Sequence, residues 1–209
     1  MHIPRNLLAS AFILAGAGHA VAASSVGLNV KGSLTPSACT PSMSSGGTVD
    51  YGKLSAKDLN VDTVTRLPRE YLQLRVECDA ATVFALQGHD NRAGSSLDGD
   101  EDNYGLGLIN GDEKLGSYAV SLSSAVADGV PSRFIMSYDG GVTWSPWPGG
   151  ALWVGGTTAV ADNSSFTPLP TKVLTGEMMI RTVIAPANTL TLTEEVPIDG
   201  SVAVTVKYL

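Results

Sequence analysis

The stretch "YLQLRVEC", residues 71–78, decides the fold class of this chain. Leu72, Leu74, Val76 and Cys78 alternate with Gln73, Arg75 and Glu77, so an extended backbone carries an apolar face and a polar one. The pattern recurs on both sides of it. "VGLNVKGSL" places Val26, Leu28 and Val30 together, with Leu34 following Gly32, and "GSYAVSL" does the same with Tyr118, Val120 and Leu122. "EMMIRTVI" at 177–184 and "TLTLTEEV" at 189–196 are two more candidates, and "SVAVTVKYL" closes the chain with Val202, Val204, Val206 and Tyr208 on one face. The 23 glycines and 11 prolines punctuate these runs. Short alternations separated by turn formers predict an all-β, antiparallel sandwich or barrel. The one helix-like stretch is "LSAKDLN" at 54–60, a single turn capped by Ser55.

The first 22 residues read differently. Arg5 precedes the apolar run "LLASAFILAGAG", and "AVA" at 20–22 supplies small residues where a signal peptidase cuts. The run is shorter than the about 20 apolar residues a bilayer span needs. Residues 1–22 are therefore expected to be a secretory signal peptide and 23–209 a single β-sandwich domain, exported from the cytoplasm. Of the 13 basic residues, 12 lie outside the leader, against 20 acidic ones. That balance, with no basic cluster, argues against a nucleic-acid partner and an anionic membrane surface.

Cys39 and Cys78 are the two cysteines. In an exported protein they most economically form one disulfide. The alternative, a thiolate ligand pair or redox site, would want a C-x-x-C spacing or several histidines, whereas only His89 lies beyond the leader.

"SYDGGVTW", residues 137–144, has the pattern of the Asp-box of sialidase propellers. A propeller needs several blades of about 40 residues, and one copy in this chain cannot supply them. The serine and aspartate oxygens suit a tight turn, the glycines permit positive φ, and the tryptophan covers the turn; the string is expected to be a hairpin. Asp98, Asp100 and Asp102 fall at alternate positions beside Glu101, as in a calcium loop. Asn103 and Ile109 stand where an EF-hand wants glycine and glutamate, so a solvated acidic turn is the plainer reading. "GLGLING" at 105–111 lacks the third glycine of a dinucleotide fingerprint. No G-x-S-x-G elbow is present, and His89 beside Asp90 reads as a strand end and not a dyad. No catalytic, cofactor or metal residues are expected, and the chain is not expected to be an enzyme. The irregular region 87–150, with Tyr138, Trp144, Trp147 and Trp153 in or beside it, is where a glycan or host-surface ligand would bind if the excursion is a recognition loop.

"KGSLTPSAC" at 31–39 resembles the first strand of chaperone–usher pilins, which has a glycine, a hydrophobic residue two later and a cysteine seven after the glycine; Gly32, Leu34 and Cys39 fit. Cys78 in "LQLRVECDA" matches the family's partner cysteine, and Tyr208 its penultimate tyrosine. "VDYGKLSAKDLN", "DNRAGSS" and "DGGVTW" resemble a group of bacterial fimbrial-like proteins without settled activity. The resemblance implies an immunoglobulin-like, pilin-type sandwich lacking its last strand. A periplasmic chaperone would fill the vacancy, and at the outer-membrane usher the N-terminal extension of another pilus subunit would replace it. The resemblance makes Val26, Leu28 and Val30 the donor knobs and Val202, Val204, Val206 and Tyr208 the strand bordering the groove. It implies a fimbrial subunit, periplasmic and then on the cell surface, contributing to adhesion. The alternative is a monomeric secreted carbohydrate- or protein-binding module using the Trp-rich loop 138–153. One departure is Val196, which stands where polymerising pilins carry a glycine, fourteenth from the C-terminus; another is the short stretch between Ala23 and Gly32.

Overall fold

A computed structural model describes residues 26–32, 38–99, 103–146 and 149–209. The leader reading of 1–22, Leu34, the acidic residues Asp100, Glu101 and Asp102, and Trp147 lie outside the described residues. The chain divides into two compact units, Met1–Leu34 and Thr35–Leu209. In the first, residues 26–32 form no strand; Val26, Leu28 and Val30 are 97%, 88% and 88% exposed.

The second unit is built from fourteen strands: β1 Cys39–Met43, β2 Thr65–Arg66, β3 Glu70–Thr82, β4 Phe84–Asp90, β5 Tyr104–Gly105, β6 Leu108–Ile109, β7 Glu113–Lys114, β8 Gly116–Ala127, β9 Val130–Pro131, β10 Arg133–Ser137, β11 Ser145–Pro146, β12 Thr157–Ala161, β13 Thr171–Ile184 and β14 Val202–Tyr208. No α-helix occurs among the described residues. The expected turn at 54–60 is a 3-10 turn, Ala56–Asp58, and the Ser55 side chain does not cap it.

One sheet runs β1-β3-β13-β8-β5, the other β11-β10-β12-β4-β14, and every ladder between named strands is antiparallel. The sheets face each other across the apolar sides that alternation predicts: Leu72, Leu74, Val76 and Cys78 from β3, Tyr118, Val120 and Leu122 from β8, and Leu174, Met178 and Ile180 from β13 are buried together. Leu74 is 1% exposed, while Gln73, Arg75 and Glu77 face outward. Cys39 and Cys78 sit opposite each other in the β1–β3 ladder and are joined by a disulfide. The protein is an antiparallel β-sandwich with one disulfide.

If β1, β3, β4, β8, β13 and β14 are lettered A to F, one sheet has the order A-B-E-D and the other pairs F with C. That is the immunoglobulin arrangement, in which a strand G would flank F. Among the described residues nothing pairs with the outer side of β14.

Candidate acceptor edge

A sheet margin left unpaired invites another strand, and proteins blunt such margins with short strands, proline or a covering segment. Three of the four margins of the two large sheets are blunted. The outer side of β8 is covered along its length by β5, by residues 150–152 and by β9. The middle cover is a strap: Leu122 N–H donates to Gly150 O at 2.6 Å and Leu152 N–H to Val120 O at 2.9 Å. From there the strap crosses to β4, where Gly155 N–H donates to Gly88 O, while the buried Tyr104 hydroxyl donates to Leu152 O at 2.6 Å. Gly150 sits at φ +59°, and a Cβ there would fall 1.7 Å from Leu122 O, so no other residue fits. The margin of the second sheet ends in β11, two residues of which one is Pro146. At β1, Asp79 N–H donates to Ala38 O, so alternation turns the main-chain groups of Cys39, Pro41 and Met43 away from β3. Proline has no N–H to offer, and the Cys39 N–H donates to the Tyr208 hydroxyl at 2.9 Å.

β14 has none of these devices over most of its length. Asn91 N–H donates to Ser201 O at one end of its ladder with β4, and Leu209 N–H to Val83 O at the other. The intervening register therefore points the main-chain N–H and C=O of Val202, Val204, Val206 and Tyr208 away from β4. The side chains of the three valines pack against the core yet stay only partly buried. Lys207, near the end, is held by the Gly140 carbonyl at 2.8 Å.

Beside this edge lies a groove that opens onto the core. A cavity of about 230 Å³ is lined by Met43, Val49, Val120, Met178, Ile198 and Val202, among others. A second, of about 470 Å³, continues it between residues 49–56 and 192–198, with Leu115 and Ile184 on its floor. Val49, Tyr51 and Ile198 are common to both. The Tyr51 hydroxyl donates to Thr182 Oγ1, and burial pushes it above the usual tyrosine range.

Of the residues singled out from the sequence, Cys39, Cys78, Val202, Val204, Val206 and Tyr208 meet at this edge. Val26, Leu28 and Val30 belong to the other unit. The "SYDGGVTW" string is a hairpin between β10 and β11. Asp139 accepts from the Val142 and Thr143 N–H groups, Thr143 Oγ1 donates to it at 2.6 Å, and Ser137 Oγ lies 2.7 Å away. The bonds from Thr143, with smaller contributions from Ser137 and Val142, hold the Asp139 carboxyl well below the usual carboxylate range. Trp144 donates to Gly141 O and covers Ala85, Ile135, Ala159 and Ala161 on the outer face of the second sheet. Tyr138, 56% exposed, meets the Trp153 ring edge-on at 4.8 Å between centroids. His89 is exposed and Asp90 buried, and neighbouring strand residues point to opposite faces, so the two do not form a dyad. Asp90 instead accepts from the Arg92 and Gly105 N–H groups. Among the described residues no group of His, Cys, Asp and Glu is placed to hold a metal.

Residues 49–56 and 192–198, which wall the groove, are absent from the sequence reading as a site; the only hint is the apolar spacing of Leu192 and Val196. Residues 189–196 alternate like a strand yet form none, and the expected strand at 26–30 is likewise absent. Alternation supplies two faces, but a strand also needs a neighbour for its main chain.

Residues 28–117 match the family model described as "Protein of unknown function (DUF1120)". The match begins within the first unit and runs through the disulfide, β3 and β4 to the start of β8. Two proteins of Escherichia coli (strain K12) are similar over nearly the whole length. "Protein GltF" is 25% identical, with 87% of each chain covered. "Uncharacterized protein YhcF" is 25% identical over 91% of this chain and 93% of its own.

Proposed function

We propose that this chain is a fimbrial-like structural subunit, exported to the periplasm and assembled at the cell surface by strand addition, with a role in adhesion. The observation that carries the reading is β14: the alternate residues Val202, Val204 and Val206 turn main-chain groups with no ladder partner among the described residues toward a groove leading to the core. An extended segment laid there would gain ladder hydrogen bonds for affinity and alternate side-chain pockets for register. The work is done by main chain and apolar side chains, and no reactive group takes part. Val26, Leu28 and Val30 of a second copy have the spacing such a strand requires. Burying each is worth about 1.5–3 kcal/mol before the cost of ordering the segment. A periplasmic chaperone would shield the edge until an usher delivers the next subunit. The recognition-loop reading has less support, because Trp144 is committed to covering the hairpin's own sheet.

The test uses a synthetic peptide of residues 23–33 and a control with serine at positions 26, 28 and 30. The peptide is expected to bind one-to-one, raise the melting temperature and protect the Val202, Val204 and Val206 amides from hydrogen exchange, while the control does none of these. A protein that melts cooperatively alone and takes up neither peptide would overturn the proposal, as would failure of a co-expressed pilus chaperone to raise its periplasmic yield.

A further inference from the structure

The two walls of the larger cavity are tied together unevenly. At one end of the groove, the Tyr208 hydroxyl and Cys39 N–H join β14 to β1. At the other, Ala187 N–H donates to Asn60 O, Asn188 N–H to Val61 O, and the Asn188 amide to Asp62. Between these pins, residues 192–198 run as a strap with no main-chain hydrogen bond among the described residues. Its main-chain hydrogen bonds among the described residues lie at the residues that flank it. Thr191 N–H donates to Glu113 Oε2 at 2.7 Å, and its carbonyl accepts from Asn110. Asp199 N–H donates to Leu106 O, and the Asp199 carboxylate receives Arg92 at 2.6 Å. Leu192 and Val196 hang inward and are only partly buried.

One polar contact among the described residues crosses from residues 49–56 to this strap: Lys53 Nζ to Glu195 Oε2, at 2.8 Å. Both side chains stand in solvent, 85% and 78% exposed, so the contact adds nothing to the core. We propose that the Lys53–Glu195 ion pair is a salt-sensitive latch that holds the strap over the groove and slows entry of an incoming strand. The role as a gate rests on reading the groove as a strand acceptor; the mechanics of the strap do not. An exposed pair of this kind is worth at most a few-fold in an equilibrium, and ionic screening removes it. Such a latch delays entry without blocking it.

The experiment compares Lys53→Glu, Glu195→Lys and the double swap with the natural sequence, using full-length protein. The first readout is amide hydrogen exchange at Thr191 and Asp199, the hydrogen-bonded amides that flank the strap, which needs no partner. The second is the association rate of the peptide of residues 23–33. Each single variant is expected to speed strap exchange and peptide capture about two- to five-fold at low ionic strength, and the double swap to return both toward the natural values. Raising the salt to about 0.3 M should bring the natural protein close to the single variants. Strap exchange that ignores the single variants, or a double swap that fails to restore it, overturns the latch. A strap that responds as expected in a protein that captures no peptide supports the latch and refutes the acceptor reading.

Discussion

Replacing both cysteines with serine, Cys39→Ser with Cys78→Ser, tests how the open side of the sandwich is kept in order. The bond spans 39 residues of sequence. On the chain-entropy relation, closing such a loop stabilises the native state by about 4 kcal/mol. That is a large part of the about 5–15 kcal/mol typical of whole domains. The loss should be concentrated at β1, which pairs over five residues with β3 and has no second ladder among the described residues. Equilibrium urea denaturation followed by tryptophan fluorescence provides the measurement. With a slope of about 2 kcal/mol/M, the midpoint should fall by about 2 M. A shift below about 0.5 M with the slope unchanged would refute the reasoning, because it would mean that the ladder and the Tyr208–Cys39 bond hold β1 unaided.

Three further outcomes follow from the same geometry. Gly150→Ala should cost about 2–4 kcal/mol in the same denaturation assay, since the new methyl meets Leu122 O at a positive φ and lifts the strap from β8. Tyr104→Phe should cost about 1–3 kcal/mol by leaving the buried Leu152 carbonyl without its hydroxyl donor, with near-native near-ultraviolet circular dichroism. The lowered pKa of Asp139 means that the hairpin gains stability above the ordinary aspartate value of 3.8 and loses it as pH falls below that value. Near-ultraviolet dichroism should therefore be flat from neutral pH down to about pH 4 and decline beneath it. Asp139→Asn should abolish that decline while weakening the hairpin at neutral pH.

β3, β8, β13 and β14 are legible through the alternation of their core-facing residues: β3 sets Gln73, Arg75 and Glu77 against its apolar face, and β14 sets Thr205 and Lys207 against its valines. β10 and β12 are not, for a physical reason. Ala85, Ile135, Ala159 and Ala161 form a second small cluster on the outer side of their sheet beneath Trp144, so both faces are covered and the period-two signal disappears. The hairpin at 137–144 is readable because its side chains form their own turn; the candidate strand at 189–196 fails because its alternating leucines suggest a ladder that no neighbour provides. Cys39, Val202, Val204, Val206 and Tyr208 were recognisable through resemblance. The groove between them was not, since periodicity describes the faces of a strand and says nothing about who stands beside it.

The unequal treatment of the four margins would set a valence if β14 accepts a strand as proposed. A body receptive on one flank and blunted on the others would take in one neighbour, and would itself have to supply whatever engages the next. Contacts of that kind are directional and unlike at their two ends, so they propagate in single file, closing into a ring or running on as a thread without forks.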